Sequence, residues 1–595
     1  MGKEAVVKQV TKRNFQEAVQ ELKQRIYESD FISVSTKKTG SFSSSSSQSR
    51  WRRVLPIDTP QTAYLKAKAA AETFELFQFS VCPFRINSSS SSKIVAFPYN
   101  FHVFPRDEMN LNMPSYGFTC HTSHLMSMAQ EGFDFNVCIN DGISYLSRVQ
   151  ECKAKFQSTI PRICSITSSV SSSMADSLFM ERIKSRVQNW RNVHKRSNKN
   201  KDDPLVTSLR KLILGGEVYG SRPCLNIDVC NDHQVQLAVK VLSLLSDDIV
   251  PLIIPGKGGG PMAVKVVLTS SSEDKNILLR ELQNLEEEQN SLIRGFGTVI
   301  DVISSSHKPI VVYNPLDDFA FIHSKFLAPL PASMTEFLCS LRSTFCNILD
   351  INHLLNEIRP LQKADNMSTA ISYLNRRFPM PMDLEIPHEA EDTRIKNQGH
   401  NVLRITRLFA QLSSVLKITP VAYEPEMDDR SASLNSYSNI FHPCCTVLQD
   451  QLDGEVAQIC NMEKMSTENL VFLWGFRGVV SAGVLKQKLQ GAHNVFDFEV
   501  RLLDKSCAVI LFQCEDSAKA LLEAVGRGEF GLGVLEDGLK AAGYEAYTKV
   551  CKLGFFEADL ADSLNKVFVE NFENSETNSS EIYWSKDLMI ELNDL

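Results

Sequence analysis

The chain has 595 residues, 43% hydrophobic and 22% charged, which is enough apolar material for at least two cores and excludes a chain that is disordered or fibrous throughout. A formal net charge of −7 argues against a protein that coats nucleic acid through bulk electrostatics, while leaving room for a local basic groove. The 15 cysteines are irregularly spaced and include no Cys-x-x-Cys pair, so neither a zinc site nor a disulfide framework is indicated, and the chain reads as a reduced, intracellular protein.

The first residues alternate charge with short apolar pieces and lack the apolar run of a signal peptide, and no later stretch is long enough to cross a bilayer. Residues 14–27 place Phe15, Val19, Leu22 and Ile26 at helical spacing behind Asn14 as the N-cap. The stretch 30–40 follows, a short apolar strand running into a polar turn that ends in Gly40, and then a serine-rich loop at 41–49. A helix over 64–74 precedes two β-rich segments, 76–84 and 94–104, split by a turn at 87–92, and residues 133–146 close this half.

From 165 to 265 the character changes. Residues 180–201 carry Arg182, Lys184, Arg186, Arg191, Lys195, Arg196, Lys199 and Lys201, which fit either phosphate contact or a nuclear-localisation patch, or else an ordinary solvated helix. A helix ending at Leu245 and a strand over 249–254 come next, and the glycine-rich run 256–260 reads as a turn because no Ser or Thr follows Lys257. A charged helix over 272–292 with Leu278, Leu282 and Leu285 on one face leads to a helix at 296–303 and an apolar strand at 309–313 that delivers Asn314 to Asp318. Polar sequence near 426–438 marks a linker, residues 469–525 have a β-α-β-β-α rhythm, and the acidic tail beyond Leu553 is expected to be disordered.

Several of these segments resemble the poly(A)-specific ribonuclease family of DEDD-type 3′-exoribonucleases. The resemblance is carried by the strand 30–40, by 64–66 through 77–85, by 134–148, by 310–318 with 324–326 and 329–331, and by Leu408-Phe409-Ala410-Gln411. It implies an α/β fold with a ribonuclease-H-like mixed nuclease sheet in two halves, 1–165 and 271–430. Between them, at 166–270, sits an inserted module of the Arg-x-x-x-His single-strand-binding type. After a linker at 431–465 come an RNA-recognition-motif-like α+β domain at 466–552 and the tail 553–595.

In that family an Asp-Glu-Asp-Asp quartet holds two divalent ions, Mg²⁺ or Mn²⁺, that clamp the scissile phosphate, with a His as general base. Carried over by position, the quartet here is Ser35, Lys37, Asp318 and Asn401, with Lys396 in place of the His, so that Asp318 alone is retained. A second alignment uses the His388-Glu389-Ala390-Glu391-Asp392 run and restores His388 and Asp392; the register of Thr406 and Phe409 to Gln411 favours Asn401. Either way, an ammonium at Lys37 about 4 Å from a divalent ion repels it by roughly 8 kcal/mol at an effective dielectric near 20. Lys37 is expected to pair with Asp318 or to extend into solvent; Asp317 is expected to point away from Asp318, and Asp350 to be structural or ribose-contacting.

The accessory modules carry weakened RNA signals. Residues 241–246 replace the basic pair expected in the inserted module, and in the C-terminal one Phe472 is the stacking aromatic and Lys505 an RNA contact, while Cys507 and Val509 stand where further aromatics belong. The resemblance thus implies single-stranded RNA and 3′ poly(A) tails as partners, a homodimer or a heterodimer with a paralogue, and residence in nucleus and cytoplasm. The site residues favour a degenerate RNA- or partner-binding pseudonuclease over the alternative, an active deadenylase releasing 5′-AMP.

Overall fold

The computed structural model describes residues 7–42, 50–87, 93–106, 117–156, 162–163, 173–197, 217–255, 261–359, 361, 367–379, 382–384, 398–418, 434–441, 466–476, 480–492, 498–527 and 538–576. Residues 88–92 of the expected first turn, the turn at 256–260, most of the serine-rich loop and of the linker, and the end of the tail lie outside these residues.

A mixed sheet of nine strands forms the centre. Along its main path the order is β1 (Lys8–Val10), β5 (Tyr99–Pro105), β3 (Leu76–Asn87), β2 (Phe31–Lys38), β12 (Ile310–Val312) and β13 (Ile348–Asp350), with β4 (Lys93–Ala96), β6 (Ile143–Tyr145) and β14 (Met382–Leu384) attached at its sides. Strand β2 is antiparallel to β3 and parallel to β12, so both of its edges are paired and its first five residues are buried on both faces. Helices cover the two faces. Ile32 and Val34 pack with α1 (Phe15–Glu28), α2 (Pro60–Thr73), α6 (Gly297–Ser305) and α7 (Pro315–Ile322). Phe31 points the other way, against α8 (His400–Leu416), its ring 4.9 Å from that of Phe409. Asn14 stands before α1 as expected, yet its amide is spent on Thr11 N and Gln9 O rather than on the helix.

The inserted region is a five-stranded sheet, ordered β7 (Arg162–Ile163), β10 (Ile249–Pro255), β11 (Pro261–Leu268), β9 (Arg222–Asp228) and β8 (Glu217–Tyr219). One face packs on α3 (Met174–Ser197) and α4 (Asp232–Leu245), the other on Leu278 and Leu282 of α5 (Ser272–Arg294). Arg191 of α3 grips Asp248 at 3.0 Å through Nε, Arg186 reaches Asn226 O, and Lys184 pairs with Glu181, so several of the basic residues that stood out in the sequence serve the fold of this region.

The C-terminal sheet has the order β16 (Phe498–Leu502), β17 (Cys507–Phe512), β15 (Leu470–Trp474) and β18 (Lys540–Gly543), all antiparallel. One face carries α9 (Ala482–Ala492) and α10 (Glu515–Gly526). The other, with Phe472, Trp474, Cys507 and Val509, is sealed by α11 (Tyr544–Leu553), α12 (Leu560–Glu576), Trp51 and Leu65 of α2. The expectation of a disordered tail beyond Leu553 therefore fails over 560–576. Leu560, Leu564 and Val567 recur at helical spacing and are fully buried, and the polar composition hid that stripe.

A buried cation holds this seam. Lys66 Nζ, on a side chain 2% exposed, donates to Asp58 Oδ2 at 2.8 Å and to the carbonyls of Trp51 and Arg53, and Tyr547 OH donates to Asp58 Oδ1 at 2.8 Å. Every strong group in the set is thereby satisfied, which is the condition for burying charge at tolerable cost. Lys66→Met alone leaves the Asp58 carboxylate stranded and is expected to cost about 3–5 kcal/mol. Lys66→Met with Asp58→Asn removes both charges and is expected to cost less than the single change. Urea unfolding followed by tryptophan emission, to which Trp51 and Trp474 of this core contribute, measures both.

Candidate functional site

Alternation along β2 divides its polar end into two faces. On the odd-numbered face, the hydroxyls of Ser33 and Thr406 lie 2.5 Å apart, and Ser35 Oγ accepts a hydrogen bond from Asn401 Nδ2 at 2.9 Å. Helix α8 thus starts directly over β2 with Asn401 in its first turn; His388, Asp392 and Lys396 lie outside the described residues. On the even-numbered face, Thr36 Oγ1 donates to Asp318 Oδ1, and Lys38 Nζ approaches Asp318 Oδ1 at 2.9 Å while also pairing with Asp317. Asp318 and the Ser35–Asn401 pair are therefore engaged from opposite sides of one strand.

Two expectations are corrected here. Lys37 does not meet Asp318; it shares the face of Ser35, its Nζ pairs with Glu131, and the ammonium on the carboxylate is that of the next residue, Lys38. Nor does Asp317 point away from Asp318. Both stand in the first turn of α7 rather than in an extended strand, so successive side chains are about 100° apart and both reach Lys38. Asp350 is structural in the described contacts: fully buried, it caps the Ile351–Asn356 helix by accepting from Asn352 N at 2.8 Å.

One ammonium serving two carboxylates sets the electrostatics. Burial opposes charge on Lys38, yet Asp317 and then Asp318 outweigh it and hold its pKa above the ordinary lysine value. Burial raises the Asp318 carboxyl above its ordinary range; Lys38 offsets this only in part, and the neighbouring Asp317 charge raises it further. The Lys38 head also lies 4.6 Å from the centre of the Phe321 ring, which gives it a further favourable contact.

Beside Ser35 the sheet carries a transverse polar belt. Pairing registers align Ser35 with Ser80, Asn100 and Gln9, and Lys37 with Gln78 and His102. Ser80 Oγ donates to Asn100 Oδ1 at 2.7 Å, Asn100 Nδ2 to Gln9 Oε1 at 2.9 Å, and Gln78 Nε2 to Gln398 Oε1. Gly399 lets α8 begin against the belt: at φ +85° it lies so near Asn100 that a Cβ would come within 2.9 Å of that side chain's own. The signal for the belt is in the sequence, as Gln78/Ser80 and Asn100/His102 recur at period two inside otherwise apolar strands, but residue-by-residue comparison with a catalytic quartet passes over it.

This donor set does not fit a two-ion centre. Hard divalent cations take several oxygen ligands and favour carboxylates, whereas Ser35 and Asn401 spend their groups on each other and Asp318 is held by Thr36 and Lys38. Among the described residues no group of three or more His, Cys, Asp or Glu is disposed to hold a metal.

The C-terminal sheet departs from expectation as well. Phe472 is fully buried with its ring stacked 4.7 Å from that of Tyr547, so the position that stands ready for a nucleic-acid base is filled by the chain's own tyrosine. Lys505 lies exposed in the turn between β16 and β17.

A family model described as CAF1 family ribonuclease matches residues 10–549. The poly(A)-specific ribonuclease PARN-like protein of Arabidopsis thaliana is 44% identical, over 99% of this chain and 96% of its own. The poly(A)-specific ribonuclease PARN of the same plant is 28% identical over 95% and 88%. Among solved structures, the RNase domain of yeast Pop2 is 12% identical with a TM-score of 0.31, covering 76% of this chain and 95% of that one. The S. pombe Pop2p structure in its Mg²⁺- and Mn²⁺-bound form gives 11% and 0.32 over 74% and 100%; overlaps this loose add nothing to what the sheet topology states.

His102, 1% exposed beside the belt, is pushed by burial down to about 4 and so stays neutral at pH 7. With the folded value below the unfolded one, its contribution is complete above the unfolded value near 6.5 and is lost as pH falls toward 4, by up to roughly 3 kcal/mol. Urea midpoints measured between pH 7 and 4.5 are expected to fall more steeply for the wild-type chain than for His102→Asn.

Proposed function

Because the chain belongs to the CAF1 family of ribonucleases, and within it is most informatively compared with poly(A)-specific enzymes, we propose that it is a member that has kept the fold while losing hydrolysis: a pseudonuclease that binds single-stranded RNA, with 3′ poly(A) tails as ligand, or a partner subunit. The observation that carries this reading is the Lys38 ammonium on Asp318. The sole retained carboxylate already has its cation, and the positions opposite it offer a hydroxyl and an amide that bond to each other. A divalent ion entering there must displace an ammonium and break that hydrogen bond, with Lys37 and Lys38 both adding positive charge nearby.

A heterodimer with an active paralogue, or a homodimer, and presence in nucleus and cytoplasm belong to the same reading. The competing one, an active metal-dependent 3′-exoribonuclease releasing 5′-AMP, is favoured by one feature: Asp317 beside Asp318 leaves two carboxylates facing a single ammonium.

Purified chain incubated with end-labelled oligo(A) and Mg²⁺ or Mn²⁺ separates the two. Retention on a native gel without shortening is expected, and Asp318→Ala is expected to leave that retention unchanged. Progressive 3′ shortening that Asp318→Ala abolishes establishes the active enzyme instead.

A further inference from the structure

Helix α8 carries more than Asn401 on its open side. Asn401, Arg404 and Arg407 are exposed, whereas Gln411, one turn further, is buried where the Met367–Arg377 helix ends against it. Gln411 Nε2 donates to Asn375 Oδ1 at 2.8 Å and to Phe378 O at 3.1 Å, which brings the exposed Arg376 and Arg377 alongside. We infer that this side of α8 and the adjoining helix end form a contact surface for single-stranded RNA, with phosphates on Arg404, Arg407, Arg376 and Arg377 and a base on Phe378. The inference rests on the RNA-binding reading and gives it a location.

Charge is the first argument. The chain as a whole is acidic, with a net charge of −7, yet four guanidinium groups meet here, and among the described residues no hydrogen bond or ion pair holds any of them. Other arginines of the chain are spent on carboxylates, as Arg191 is on Asp248, Arg222 on Asp274 and Arg294 on Glu151 and Asp301. Like charges gathered without an internal counter-charge favour an anionic partner, and a polyanion answers several of them at once. Arginine suits phosphate in particular, because its planar fork donates two parallel N–H···O bonds.

The layout of the patch is the second argument. Residues three and four apart on a helix are neighbours, so Arg404 follows Asn401, Arg407 follows Arg404, and Gln411 fixes the second helix one turn past Arg407. At 1.5 Å of rise per residue the strip from Asn401 to Gln411 is about 15 Å long, room for a few consecutive phosphates. A strand lying on it meets the Ser35–Asn401 pair at one end. At the other end Phe378 is 42% exposed while Gln411 pins its carbonyl, and the Arg377 guanidinium lies 5.6 Å from the centre of the Tyr373 ring. Arginine interleaved with an exposed aromatic grips both parts of a nucleotide, its phosphate and its base.

Fluorescence anisotropy of labelled oligo(A) titrated with the full chain at several salt concentrations tests the surface. Arg404→Gln with Arg407→Gln, and Arg376→Gln with Arg377→Gln, are each expected to weaken binding about tenfold or more at unchanged melting temperature. Each pair is also expected to flatten the slope of log affinity against log salt by about 1.4, or about 0.7 for each phosphate released. Phe378→Ala is expected to weaken binding about fivefold or more with the slope unchanged, since stacking carries no counter-ion release. Oligo(A) binding that all three variants leave unaltered overturns the inference and lets the RNA-binding reading stand, whereas no binding by the wild-type chain removes both. Loss of binding to phosphatidylserine vesicles in the arginine variants, with oligo(A) affinity unaltered, assigns the patch to a membrane surface and overturns the inference as well.

Discussion

A single ammonium group, that of Lys38, lies between two carboxylates at the polar end of the central strand, and the chemistry of the whole centre follows from that contact. The first residues of strand β2 are paired on both edges and buried, and beyond them the side chains of Lys38 and Asp318 are themselves largely withdrawn from solvent, where charge is poorly screened. There an unpaired carboxylate is costly, and a lysine that meets it gives the electrostatic balance a metal ion gives elsewhere, without the ligand count a metal requires. The remaining polar groups around the strand's end are neutral and satisfy one another. Ser35 bonds to Asn401, and the amide belt runs across β3, β5 and β1.

The C-terminal sheet shows the same logic at a larger scale. A sheet with helices on one face must cover the other face or leave it for a ligand. Here Phe472, Trp474 and Val509 are covered from within, by Tyr547 and the helices that follow and by Trp51 and Leu65 of the central domain. The Lys66–Asp58–Tyr547 set ties this apolar contact to one register, because a buried charged pair tolerates little displacement.

Much of this was legible in the linear chain. Sequence patterning marked β2, β3, α1, α5 and three of the four strands of the C-terminal sheet, β18 excepted, because burial on one face forces a repeat that matches the geometry of the element. The residue types at Ser35, Lys37, Asp318 and Asn401 already said that carboxylates were scarce. The helix at 560–576 was missed since three apolar residues carry its buried stripe while its composition is that of a solvated tail.

What the sequence by itself determined is the class of fold, the order of its elements and the chemical identity of the groups at the site, all of which are local or pattern properties of the chain. Only the tertiary structure decided which lysine meets Asp318, that Asp317 joins it, and that Phe472 faces a tyrosine of its own chain rather than a base. The physical reason is directional. Adjacent strand residues point to opposite faces and adjacent helical residues about 100° apart, so a shift of one position, or a strand end that is in fact the first turn of a helix, exchanges one partner for another while leaving composition and spacing unchanged.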